Sequence, residues 1–168
     1  LSPEDNLLQV ALHTAKHSFV RAPGFRLHCD VDRIVSSQNI DWDIFVSRVI
    51  TLKTKTAVYI SLSMALGLLG TPVPEKVLSQ IKPNPFKIKI MKAWIEKVGI
   101  FEPDSPKWSK VGYIFFVSML YDSVGDFFKG VFPSSENMKE MYGFSSGILL
   151  PIYHAKRIFS LLLKRENT

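Results

Sequence analysis

The sequence predicts an all-α fold, a multi-helix bundle of about eight helices with no substantial sheet. Three observations predict it. Apolar residues recur three and four apart through most of the 168 residues, proline and glycine break the chain into helix-length segments, and no Asn-Gly or Asp-Gly hairpin turn occurs. Apolar residues make up 46% and charged residues 21%, enough apolar material for a core and ordinary for a globular protein.

The elements follow in order. Ser2 is placed to accept from the amide of Asp5, with Pro3 at the first helical position and Glu4 and Asp5 against the positive end of the helix dipole. Leu7, Leu8, Ala11, Leu12, Ala15 and Phe19 then carry a helix to about Val20, which Pro23-Gly24 ends. A second helix fits Phe25 to Ser37, with Leu27, Val31, Ile34 and Val35 on one face. Asp41 caps a third, carrying Trp42, Phe45, Val46, Val49 and Ile50. From Thr54 to Leu69 the chain is apolar nearly all round, the mark of burial on several sides, and Gly70 supplies a left-handed stop. Glu75 to Ile81 is a short helix and Phe86 to Val98 another, ended by Gly99. Phe101 to Lys107 reads as a loop between a helical domain of residues 1–100 and a further helical lobe of residues 101–168 packed on it. Val111 to about Phe132 is expected to be one long apolar helix, with Gly112, Gly125 and Gly130 as weak points. Pro133-Ser134-Ser135-Glu136 starts another, and Gly147 to Lys164 forms a terminal helix kinked or begun at Pro151.

Several function classes are weakly supported or excluded. The net charge of +6 is spread along the chain rather than gathered in a basic stripe interleaved with aromatics, which weighs against nucleic acid. The single cysteine, Cys29, rules out an intrachain disulfide and fits a reducing cytoplasm. No run reaches the ~18 apolar residues of a membrane span. Lys156 to Arg165, with Ile158, Phe159 and Leu161 to Leu163, suits a terminal helix docking its leucines on the domain better than a membrane surface. Dinucleotide-binding glycines, a Walker loop and cysteine-rich metal motifs are all missing from the sequence. The chain begins at Leu1 rather than Met, as a piece of something longer would.

Two constellations invite chemistry. His13 and His17 stand four apart, so both rings leave one helix face and could grip a metal or an anion, although Thr14 stands where the metalloprotease pattern needs Glu. Asp30-Val31-Asp32 has the acidic-hydrophobic-acidic form that holds magnesium ions in polymerase-type nucleotidyltransferases. That use needs a strand. On a helix the two carboxylates diverge by about 200°, and the flanking apolar spacing is helical. Asp30 is then expected to pair with Arg26 or Arg33, one turn away on either side.

The order of these features resembles the uncharacterised nucleotidyltransferases, related in fold to polymerase β. The resemblance runs through Leu1-Ser2-Pro3-Glu4-Asp5, Leu7-Leu8, His13, His17, Arg26, Asp30, Ile40-Asp41-Trp42, and Ala57-Val58-Tyr59 to Gly70 with Pro72-Val73-Pro74. It covers about Leu1 to Pro83, as the carboxy-terminal helical region of such a protein. It implies that magnesium and the catalytic aspartates belong to a separate mixed α/β domain, with no catalytic residue and no cofactor in this chain. The helices would pack on that domain as one wall of the substrate cleft. His13, His17, Arg26 and Asp30, with Arg33 a turn further on, would meet a nucleotide or small-molecule acceptor there, or else staple the first two helices together. The alternative from another class is a non-catalytic helical protein-interaction module.

Overall fold

The computed structural model describes residues 1–19, 24–101, 110–144 and 147–163. They form helices only, with no strand among the described residues. The chain divides into two compact units, Leu1–Asp122 and Ser123–Thr168.

In the first unit the order is α1 (Pro3–His17), α2 (Gly24–Ser37), α3 (Trp42–Thr51), α4 (Lys55–Leu69), α5 (Glu75–Ile81), α6 (Pro85–Val98) and α7 (Lys110–Leu120). The expected caps form. Ser2 Oγ accepts from Asp5 N at 3.2 Å, and Asp41 Oδ1 accepts from Asp43 N and Ile44 N. Gly70 ends α4 at φ 69°, left-handed backbone that a side chain would strain. The expected passage of α1 to Val20, its stop at Pro23 and most of the loop from Phe101 to Lys107 lie outside the described residues.

α4 is the centre. Its first three turns bury residues on every side, among them Ala57, Val58, Ile60, Ser61 and Leu62, because apolar or small side chains face all directions there. The all-round burial stops after Ala65, and Leu66 and Leu68 are exposed. α1, α2 and α4 pack most extensively on one another. One buried cluster joins Leu7 and Ala11 of α1 to Val31 of α2, Phe45 of α3, Leu62 of α4 and Ile81 of α5. A second joins Ala15 and Phe19 to Ile60, Met91 and Ile95 of α6, and Phe116 of α7. Ile50, expected on the buried side of α3, is 49% exposed. Its neighbour Val49 takes the core position instead.

The second unit contains α8 (Val124–Val131), α9 (Ser135–Tyr142), a 3-10 turn at Gly147–Leu149 and α10 (Leu150–Leu163). The one long apolar helix expected over 111–132 is therefore two, α7 and α8. Ser123 interrupts it, being extended at φ −136°, ψ 160° with its side chain accepting from Asp126 N, which starts a new helix. Ser134 caps α9 in the same way. Within this unit the Phe144 ring stacks on Tyr153 at 4.4 Å, and Arg157 donates to the carbonyls of Gly130 and Val131 at the end of α8. The packing of Ile158, Phe159 and Leu161 to Leu163, expected to dock the terminal helix, lies outside the described side chains.

Gly24 opens α2 hard against the end of α1. A Cβ there would collide with the backbone carbonyl of Ser18, which cannot swing aside as a flexible side chain would. Gly24→Ala is expected to cost about 1–3 kcal/mol, read as a lower urea midpoint with an unchanged slope.

Candidate functional site on the outward faces of the first two helices

The polar residues singled out in the sequence all sit on helix surfaces. Leu7, Ala11 and Ala15 point one face of α1 into the core, which turns Gln9, His13 and Lys16 outward. His13 is exposed and His17 half-buried, and their rings lie 4.6 Å apart at 37°. On α2, Val31, Ile34 and Val35 face inward and leave Arg26, Asp30 and Arg33 exposed on successive turns. The two helices are joined by apolar packing and by Thr14, whose hydroxyl donates to the Leu27 carbonyl at 3.2 Å. Stapling therefore falls to Thr14 and the core, while Arg26, Asp30 and Arg33 turn to solvent. Among the described residues Asp30 forms no ion pair with Arg26 or Arg33, contrary to the expected pairing. All three are exposed, where such pairs gain little.

Asp30 and Asp32 do not converge. Both lie on α2; Asp30 is exposed, whereas the Asp32 carboxylate accepts from the Thr71 hydroxyl at 2.8 Å and ties α2 to the turn after α4. Magnesium needs several oxygen ligands around one point. This pair does not fit it, and among the described residues no three His, Cys, Asp or Glu side chains gather for a metal.

Other polar groups fix the frame that presents these faces. Glu4 is buried at the start of α1, its Oε1 accepting from Asp41 N at 3.0 Å. That backbone N–H, with Glu4's own amide, Ser2 and Arg48 helping, holds its carboxyl below the usual range. The charged form is thus the folded form, and its contribution is present above the ordinary carboxylate range and lost as pH falls through the lowered value. Arg48 donates to Asp5 at 2.7 Å and to Ser2 at 2.8 Å, locking α3 across the same helix start. Read locally, Ser2, Glu4, Asp5 and Asp41 each start their own helix; their link to one another depends on tertiary packing.

A second clasp joins elements remote in sequence. Thr54, at the local cap position of α4, makes no capping bond. Asp122 caps the helix instead, accepting from Lys55 N at 3.0 Å, Thr56 N at 2.7 Å and Thr56 Oγ1 at 2.9 Å. The Lys87 amine donates to Thr56 Oγ1 and to the Tyr121 carbonyl. Burial lowers its pKa, and the Asp122 charge opposes that shift. Asp122→Ala removes the cap and the countercharge together. It is expected to cost about 1–2 kcal/mol in chemical denaturation, and Asp122→Asn to recover part of that through its remaining side-chain carbonyl.

His28 was given no role from sequence, yet it is fully buried. It lies 6.2 Å from the Phe19 ring, and neither ring nitrogen has a hydrogen-bond partner. Burial pushes its pKa down to about 4, opposed in part by the backbone of Ser61, which approaches without reaching hydrogen-bond geometry. Neutral imidazole is the folded form, so stability is full above the unfolded value near 6.5 and falls as pH drops toward about 4. From about pH 7 to about pH 5 the expected loss from this group is about 2 kcal/mol. His28→Leu should flatten that segment of the stability profile, measured by urea titration at each pH.

Fold and surface together define a helical region whose polar residues divide between structural clasps and outward faces. Residues 1–70 match the model of a family described as uncharacterised nucleotidyltransferase. The resemblance read from the motif order is thus borne out over α1 to α4, the helices that carry the outward polar faces. No curated protein and no solved structure matches the chain.

Proposed function

We propose that this chain is the helical region of a nucleotidyltransferase-like protein and acts as a brace and cleft wall for a separate lobe that does the chemistry. The single observation that carries this reading is the family match over residues 1–70, the stretch that contains His13, His17, Arg26, Asp30 and Arg33. Their placement supports it. A core-facing role would bury such residues, whereas Arg26, Asp30 and Arg33 are held outward on a rigid helix, as residues serving a ligand at an interface need to be. Arginine offers a planar fork matched to phosphate oxygens, histidine a further donor, and Asp30 an acceptor for a ribose or acceptor hydroxyl. Nucleotidyl transfer itself would then use magnesium ligands from the other lobe, since Asp30 and Asp32 diverge on α2.

A second reading, a non-catalytic interaction module, is favoured by a different observation. In Ser123–Thr168 a run of large apolar side chains is exposed, including Phe128 at 53% and Ile152 at 62%. Self-association driven by this unit would appear in sedimentation as a concentration-dependent mass shift, abolished by Phe128→Ser with Ile152→Ser.

Titration calorimetry of nucleoside triphosphate with Mg²⁺ into the purified chain tests the first reading. Weak binding is expected, reduced about fivefold to thirtyfold by Arg26→Ala, in line with loss of one charge-assisted hydrogen bond, and lowered also by His13→Ala. Binding heat indifferent to both substitutions, or none at all, would remove these residues from the cleft.

A further inference from the structure

Within the first unit, α6 and α7 form a two-helix layer whose outer side is apolar and open. The Lys87 amine reaches the Tyr121 carbonyl and the Trp94 ring lies 4.7 Å from that of Phe115, so the helices run antiparallel and Lys97 falls level with Val111. From Val111 to Leu120 α7 carries no charged residue, and only Phe116 and Leu120 of this stretch are buried. One side of the helix thus supplies the core, while the other leaves Val111, Ile114 and Phe115 exposed, Val111 at 77%. On α6, Phe86, Ile90 and Trp94 stand four apart and carry the apolar band across to Phe115. Phe86 is 72% exposed. Large apolar groups gathered in this way mark a surface that something covers.

The charges around the band say what covers it. Lys89 and Lys97 lie on the same outward stripe of α6 as Phe86 and Ala93, and all four are exposed. No acidic residue shares the stripe: Glu96 stands about 100° round the helix from Lys97, beside Lys92. Asp122, just beyond α7, is engaged by the start of α4. The band and its border are therefore aromatic, aliphatic and positive. Lysine is depleted from the centres of protein–protein interfaces. Lysines beside aromatic and aliphatic side chains suit a lipid headgroup boundary, where the apolar groups enter and the ammonium groups stay with the phosphates. α7 is too short to cross a bilayer, its 11 residues reaching about 16 Å against a hydrocarbon core of about 30 Å. Phe116, fully buried 5.6 Å from the Phe19 ring, also holds it to the core.

We propose that this face docks on an anionic lipid surface, with Phe86, Val111, Ile114 and Phe115 entering the headgroup boundary and Lys89 and Lys97 meeting the negative headgroups. Burial supplies the grip, and the lysines select the charge. Arg26, Asp30 and Arg33 lie outside this layer, so the inference stands apart from the nucleotide reading.

Co-sedimentation of the full chain with vesicles of phosphatidylcholine alone, or with about 30% phosphatidylserine, tests it. Binding to the mixed vesicles is expected to exceed binding to the neutral ones by about tenfold to thirtyfold, each lysine near an anionic surface being worth about fivefold. Lys89→Gln with Lys97→Gln should remove most of that preference. Lys16→Gln with Lys139→Gln, the same loss of charge at exposed positions elsewhere, should keep it. Val111→Ser with Ile114→Ser should weaken binding to either vesicle by about tenfold, with folding checked by an unchanged circular dichroism spectrum. Three results would each overturn the proposal: no sedimentation with the mixed vesicles, an equal loss from the two lysine pairs, or a concentration-dependent mass shift without lipid that Val111→Ser with Ile114→Ser abolishes. The last would assign the face to a second copy of the chain.

Discussion

One close approach organises the first unit: α4 lies so near α1 that the Ser61 hydroxyl donates to the Ala11 carbonyl at 2.5 Å. Small residues make it possible. Ala11 and Ala15 on one helix meet Ala57, Ser61 and Ala65 on the other, and all five are buried. A larger side chain at these positions would hold the helices apart. α4 would then no longer reach α2 and α6 at once, and the two apolar clusters that share it would separate. The polar clasps depend on the same approach. Asp122 finds the start of α4, and Thr71 finds Asp32, only because α4 stands in the middle.

How far this was legible follows from the range of each interaction. Caps are made by neighbours, so Ser2, Asp41, Gly70, Gly99 and Ser134 all stood out in the sequence and all serve as read. Core faces were legible for the same reason: the helical period alone points Leu7, Val31 and Phe45 inward. The break between α7 and α8 was missed because apolar residues resume at helical spacing beyond Asp122-Ser123, and glycines drew attention away from Ser123, which forms the new cap. Asp122 carried no local signal as a cap. It serves a helix whose first residues precede it by more than sixty positions, and Thr54 stood in the obvious place.

Polar residues in this chain thus fall into two kinds. Glu4, Thr14, Ser61, Thr71 and His28 are buried, and each sits at a junction of helices. All but His28 have the hydrogen bonds that burial demands. His28 is the exception, and with no bond to compensate its protonated form it joins Glu4 as an acid-sensitive point. The exposed charged residues within the family resemblance, by contrast, are ones the fold does not need. Substituting Arg26 or Arg33 would disturb no core contact, because both are exposed.

That division gives the functional reading its physical content. A surface arginine or histidine contributes little to a fold, since exposed charges are screened and their side chains lose entropy when fixed. α2 nevertheless holds Arg26, Asp30 and Arg33 in register at one-turn spacing, on a helix anchored by Val31, Ile34 and Val35 beneath and by Asp32 to Thr71 at its flank. Rigid support under mobile charges is what lowers the entropic cost of gripping an anion.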